Sequence, residues 1–138
     1  MPKSKATCLC GSVSLVTNDF SEFGACHCGM CRKWGGGPFL TVACGDQVEV
    51  QGDHFITTFI SSDWAERGFC KVCGTHLYYR MKHNGHYMVP LGLFNETQGS
   101  TFASQIFIDK KPDAYSFQNE TTNMTEAEVF AKYAPKDQ

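Results

Sequence analysis

The spacing of its eight cysteines constrains this 138-residue chain more than any other feature. Seven of them fall into three tight groups: Cys8-Leu9-Cys10, Cys26-His27-Cys28-Gly29-Met30-Cys31, and Cys70-Lys71-Val72-Cys73. Cys44 stands alone. At roughly 6% of residues, cysteine falls below the ~8–10% that marks a short disulfide scaffold. The start, MPKSKATCLC, has charge but no apolar run of the kind a secretory signal needs. A cytoplasmic, reducing location is therefore expected, in which thiols persist as thiols or metal ligands.

The first and last groups each look like half of a tetrahedral zinc site. In an extended segment, residues i and i+2 point to the same side, so Cys8 and Cys10 present two thiolates together. In Cys70-x-x-Cys73-Gly74 a tight turn aims both sulfurs inward, and the glycine tolerates the left-handed backbone such a turn often needs. Brought together by a sheet, the two halves make a closed four-cysteine site of the structural type, whose binding free energy adds to folding. The competing reading is two unrelated reduced pairs, one of them a redox C-x-x-C. That motif belongs beside a βαβ pattern, which this sequence lacks.

The middle group differs. Cys26, Cys28 and Cys31 supply three thiolates, and a fourth position has no assigned ligand. His27 projects away from both neighbouring cysteines if the segment is extended. Cys44, at the end of a strand-like run, is more simply a small buried hydrophobe. Three protein ligands plus water or substrate is the pattern of a catalytic zinc. Three anionic thiolates make the ion a weak Lewis acid but keep a bound thiol deprotonated and nucleophilic, which favours thiol chemistry over hydrolysis. Arg32 and Lys33 follow directly and offer charge to an anionic substrate. Trp34 and the glycines after it offer a wall, although a solvated turn and an ordinary connecting loop explain these residues equally simply.

The rest of the chain predicts a mainly β protein. SVSLVT (12–17), PFLTVAC (38–44), VEVQ (48–51), HFITTFI (54–60), HLYYRM (76–81), HYMVPL (86–91) and QIFID (105–109) carry β-branched and aromatic residues between turn formers. His83-Asn84-Gly85 reads as a hairpin turn. Only TEAEVFAKY (125–133) has helical character, with Thr125 and Glu128 set as a capping box. Polar stretches at 95–104 and 110–124 read as loops. No linker or internal repeat divides residues 1–138, so a single domain is expected. A net charge of −2 and a pI near 6.2 give no reason to expect nucleic acid or an anionic membrane as partner. The longest apolar run, MVPLGLF at 88–94, is too short to span a bilayer.

With these residues in hand, the chain resembles the glutathione-dependent formaldehyde-activating enzyme family, to which the centromere protein V group is related. The resemblance covers about residues 8–117. It rests on C-x-C-G at Cys8–Gly11, C-H-C-x-x-C-R-x-x-G at Cys26–Gly35, R-G-F-C-x-x-C-G-T-x-L at Arg67–Leu77 and I-F-I-D at Ile106–Asp109. It implies a zinc-stabilised β-tent of short antiparallel strands with one short C-terminal helix, and two Zn2+ per chain. Cys8, Cys10, Cys70 and Cys73 would hold a structural zinc; Cys26, Cys28 and Cys31 would hold a catalytic one. The implied activity is that of a carbon–sulfur lyase, condensing formaldehyde or a related aldehyde with glutathione or another small thiol to S-hydroxymethylglutathione. Arg32, Lys33 and Trp34 are the substrate-binding candidates. A non-catalytic zinc- or glutathione-binding or protein-interaction module of the same fold is the alternative. The sequence departs from the family where a His commonly precedes I-F-x-D and a Pro-Trp follows it. Gln105 and Asp113-Ala114 stand there, with Tyr115 retained.

Overall fold

The structure is a computed structural model, and it describes residues 2–133. Among the described residues are eleven strands, two short α-helices and three single turns of 3-10 helix. In chain order the strands and α-helices are β1 (Lys3–Thr7), β2 (Ser14–Asn18), β3 (Glu22–Cys26), α1 (Gly29–Gly35), β4 (Phe39–Gly45), β5 (Glu49–Gln51) and β6 (Ile56–Ile60). There follow β7 (Ala65–Cys70), β8 (His76–Met81), β9 (Tyr87–Pro90), β10 (Thr101–Ile106), β11 (Thr122–Met124) and α2 (Glu126–Tyr133). The protein is mainly β, as the alternating β-branched and aromatic runs predict. The chain forms two compact units, Met1–Ser21 with Val42–Ser100, and Glu22–Thr41 with Thr101–Gln138.

The first unit is built from antiparallel hairpins. β1 pairs with β2 in the register Lys3↔Asn18 to Thr7↔Ser14, and β5 adds to the other side of β2. β6, β7, β8 and β9 form a meander in which each strand pairs with the next. The β8–β9 turn is the one expected at His83-Asn84-Gly85. Gly85 has φ +71 and donates to the Met81 carbonyl at 2.9 Å, while the Asn84 side chain accepts from the His86 N–H at 2.9 Å. The core is small and aliphatic: Ala6, Val13, Leu15, Val42, Ala65, Leu77 and Val89 are essentially solvent-free. Burying each larger member of this set stabilises the fold by about 1.5–3 kcal/mol. Gly68 is required by close approach, because a Cβ there would overlap the ring of buried Tyr78 on the neighbouring strand.

The second unit contains the departure from antiparallel pairing. β3 pairs antiparallel with the Phe39–Thr41 end of β4, but β10 runs parallel to β3 on one side and to β11 on the other. Gly24 permits this approach, since a Cβ there would lie 2.6 Å from Ser104 Oγ. The pairing bulges between Phe102 and Ser104 and delivers Ala25↔Gln105 and Cys26↔Ile106 in register. Beyond β10 the chain turns at Phe107, the one described non-glycine residue with positive φ (+55), and its ring packs edge-on against Phe130 of α2. α2 starts on the predicted capping box: Thr125 N–H donates to Glu128 Oε1 at 2.7 Å and Glu128 N–H to Thr125 Oγ1 at 3.3 Å. Asp109 of the I-F-I-D motif accepts the Glu126 N–H at 2.9 Å.

Three expectations change. The predicted strand at 105–109 ends at Ile106, and β10 and β11 occupy parts of the stretches 95–104 and 110–124 read as loops. A second helix, α1, lies over residues read as part of a loop. Cys28 caps its start through Sγ, and Gly36 ends it at φ +88, donating to the Arg32 carbonyl. No described helix is long and apolar enough to cross a membrane.

Candidate functional site

Two cysteine clusters have the donors and the compactness for a metal ion. The first lies in the first unit, at the turns of two hairpins. Cys8 leaves β1 and Cys10 sits in the β1–β2 turn; Cys70 ends β7 and Cys73 sits in the β7–β8 turn. The sulfurs of all four lie within 4.8 Å of one another. Cys8–Cys10 and Cys10–Cys70 are each 3.7 Å apart. A tetrahedral ion with Zn–S bonds of ~2.3 Å spaces its sulfurs by about 3.8 Å, so this donor set fits zinc.

Cys8 and Cys10 converge through a turn and not through extended alternation. Gly11, at φ +82, donates to the Cys8 carbonyl at 3.1 Å, and the Val13 N–H reaches back to Cys8 Sγ at 3.4 Å. The second half repeats the device: Gly74, at φ +81, donates to the Cys70 carbonyl at 2.7 Å. Thr75 ties the halves together. Its hydroxyl accepts the Leu9 N–H at 3.2 Å and lies 3.1 Å from Cys73 Sγ. Hydrogen bonding from Thr75 first, then from backbone groups, draws the Cys73 thiol down to about 5. Ser12 does the same in direction for Cys10. These are thiols poised to be thiolates, the form in which cysteine binds metal. Leu9 and Val72, between the paired cysteines, are exposed.

The second cluster lies in the second unit, at the junction of β3 and α1. Cys26 ends the strand and is buried, Cys28 caps the helix, and Cys31 is buried in its first turn. Their sulfurs lie within 4.8 Å of one another, and the cluster has these three members among the described residues. The Cys31 N–H points at Cys28 Sγ at 3.4 Å. Hydrogen bonds to Cys28 and Cys31, then burial, push the Cys26 thiol far up. Three sulfurs this close cannot all ionise without a cation among them, and a divalent ion reverses that penalty. The donor set therefore fits a soft divalent metal such as zinc.

His27, between two cysteines of this cluster, is not among the donors. Its ring is fully buried, with Nε2 2.8 Å from Gln105 Oε1 and Nδ1 3.0 Å from the Tyr115 hydroxyl. Burial lowers its pKa and keeps it neutral. Arg32, on α1, donates from Nε to the His27 carbonyl at 2.9 Å. Lys33 is exposed and Trp34 half-buried on the same helix. The Lys111 ammonium lies 5.2 Å over the Tyr115 ring and donates to the Tyr115 carbonyl. Cys44 behaves as a partly buried thiol, its Sγ 3.5 Å from the Val42 carbonyl and its pKa raised to about 11 by burial.

The cysteine spacings alone lead to both clusters. They do not lead to the ring of contacts around His27, whose partners are 78 and 88 residues away in sequence. The signals the sequence offers are the departure from the family pattern at Gln105 and the retained Tyr115, and neither says by itself that the two meet His27.

The family model described as glutathione-dependent formaldehyde-activating enzyme matches residues 3–110. A Schizosaccharomyces pombe protein, named as an uncharacterized lyase, is 36% identical over 131 residues, covering 94% of this chain and 96% of that protein. A crystal structure of a Rhodobacter sphaeroides protein shares the fold, with a TM-score of 0.57 and 22% identity over 72% of this chain and 99% of that one.

Proposed function

The chain belongs to the glutathione-dependent formaldehyde-activating enzyme family, and on that premise we propose that it is a zinc-dependent carbon–sulfur lyase joining a small thiol to an aldehyde. The observation that carries this reading is the three-cysteine cluster of Cys26, Cys28 and Cys31, whose donor count leaves room for a substrate ligand. Glutathione and formaldehyde are the substrates the family name supports. We assign Cys8, Cys10, Cys70 and Cys73 a structural zinc, and read residues 1–138 as one functional domain because the family match runs through segments of both units.

Zinc at the second cluster would supply a lowered thiol pKa, holding a thiol as thiolate at neutral pH. In the overall addition the thiol sulfur forms a bond to the carbonyl carbon. The C=O π pair moves to oxygen, which takes up the proton the thiol gave up. The chain's own residues orient and shield. His27 and Arg32 fix the backbone between Cys26 and α1. Arg32 and the exposed Lys33 put two positive charges on this short helix, which suits a carboxylate-bearing thiol. Eight cysteines with no disulfide between them suit a reducing compartment such as the cytoplasm.

The test is to mix zinc-loaded protein with glutathione and formaldehyde and follow S-hydroxymethylglutathione by NMR. Formation faster than the uncatalysed rate is expected. An unchanged rate with bound zinc would remove this reaction from consideration.

A further inference from the structure

A chain of side-chain hydrogen bonds runs through the second unit, and its polarity is fixed from one end. Thr121 Oγ1 donates to Asn123 Oδ1 at 2.6 Å, so its single proton is committed and it can only accept from Gln105. Gln105 accordingly turns its amide nitrogen to Thr121, at 2.9 Å, and its oxygen to His27 Nε2, at 2.8 Å. An amide oxygen only accepts, so Nε2 carries the imidazole proton. A neutral imidazole has one N–H, which leaves Nδ1 as an acceptor and commits the Tyr115 hydroxyl proton to it, at 3.0 Å. Gln105 is 5% exposed and His27 0%, so neither bond is readily exchanged for one to water.

The backbone of His27 is held as tightly as its ring. Its N–H donates to the Ile106 carbonyl at 3.1 Å, and its carbonyl accepts from Arg32 Nε at 2.9 Å. Ile106 is the last residue of β10 before the left-handed turn at Phe107. Left-handed backbone at a bulky residue persists only where its surroundings over-determine it, and here it ends the strand opposite Cys26. The segment between two cysteines of the cluster is thus gripped by side chain and main chain from one strand end.

We propose that Gln105 is a positioning residue for the second cluster: its amide oxygen fixes His27 as the Nε2–H tautomer, and the fixed imidazole holds Cys26-His27-Cys28 in metal-ready geometry. This rests on the reading that the cluster binds a metal. Residues that orient a metal site in this indirect way typically change affinity by about 10–100-fold when replaced.

The experiment uses the full chain, labelled with 15N-histidine and loaded with zinc. Long-range proton–nitrogen NMR reads the His27 tautomer, and a chromogenic chelator reads the rate at which each zinc is lost. In the native chain His27 is expected as Nε2–H. Gln105→Leu, which removes the acceptor, should mix the tautomers and speed loss of the second zinc by roughly tenfold. Thr121→Ser, which keeps the hydroxyl that orients the Gln105 amide, should leave both readouts native, and the first zinc should not respond. An Nδ1–H tautomer in the native chain, or native release from Gln105→Leu, overturns the proposal. If Gln105→Leu does not fold, Thr121→Val serves in its place, because it removes the acceptor that sets the amide orientation. An unchanged tautomer there is equally contrary. The tautomer is also read in the metal-free chain, so uptake of a single zinc would refute the two-metal reading separately from the tautomer assignment.

Discussion

Replacing Thr75 by valine keeps the shape of a half-buried side chain and exchanges for a methyl the one hydroxyl that joins both halves of the four-cysteine cluster. Two interactions go with it: the 3.2 Å bond from Leu9 N–H and the 3.1 Å contact with Cys73 Sγ. The second matters more, because Thr75 is the leading cause that brings the Cys73 thiol from an ordinary 9.0 down to about 5. Metal and protons compete for the same sulfur, so a thiol with a higher pKa surrenders its metal at a higher pH. Loss of such a supporting contact typically weakens metal binding by about 10-fold or more. If release follows protonation of one sulfur, a tenfold loss moves the midpoint up by about one pH unit; if all four protonate together, by about a quarter of a unit. The assay is release to a chelator as pH is lowered stepwise, in a Cys26→Ala background so that the first site alone contributes. Thr75→Ser, which restores the hydroxyl, should return the midpoint to its native value. A Thr75→Val midpoint equal to the native one would refute the assignment of Thr75 as the group that primes Cys73.

Two further outcomes follow from packing and burial. Gly68→Ala should destabilise the protein by about 1–3 kcal/mol in urea unfolding, because the added methyl meets the Tyr78 ring, itself edge-on to Tyr87 at 5.0 Å; native stability would mean that the ring has room to move. His76 accepts no charge readily, since burial lowers its pKa from 6.5 to about 4 and its Nε2 faces the Tyr78 carbonyl. Between these two values the unfolded chain binds the extra proton, so stability contributed by neutral His76 is full above pH 6.5 and lost as pH falls toward 4. The loss is up to about 3 kcal/mol at 1.36 kcal/mol per unit, and His76→Gln should flatten that part of the pH–stability curve; parallel curves for both chains would contradict it.

What the sequence made legible was local. The cysteine groups could be assigned because ligand spacing is a property of a few consecutive residues, and the capping box at Thr125 and the turn at Asn84-Gly85 are equally short-range. What it hid depends on tertiary context. β1, β3 and β7 carry Lys, Glu, Ala and Gly, which score poorly as strand formers. Gly24 and Gly68 are nonetheless there because another strand comes too close for a side chain. α1 is seven residues with a glycine at each end, and its cap is a cysteine sulfur, which no propensity scale rewards. The network through His27 needs the parallel pairing of β10 with β3, a register set by a bulge and a left-handed turn far along the chain.

Removing one sulfur from the second cluster tests most directly whether it is the working metal site. Native protein should carry two zinc ions per chain, one for each cysteine cluster. Cys26→Ala should carry one, keep its far-ultraviolet circular dichroism and unfolding transition, and form the thiol–aldehyde adduct no faster than solution does. A Cys26→Ala chain that retains both ions, or loses one and still accelerates the addition, would contradict the central claim that the three-cysteine string is the working metal site.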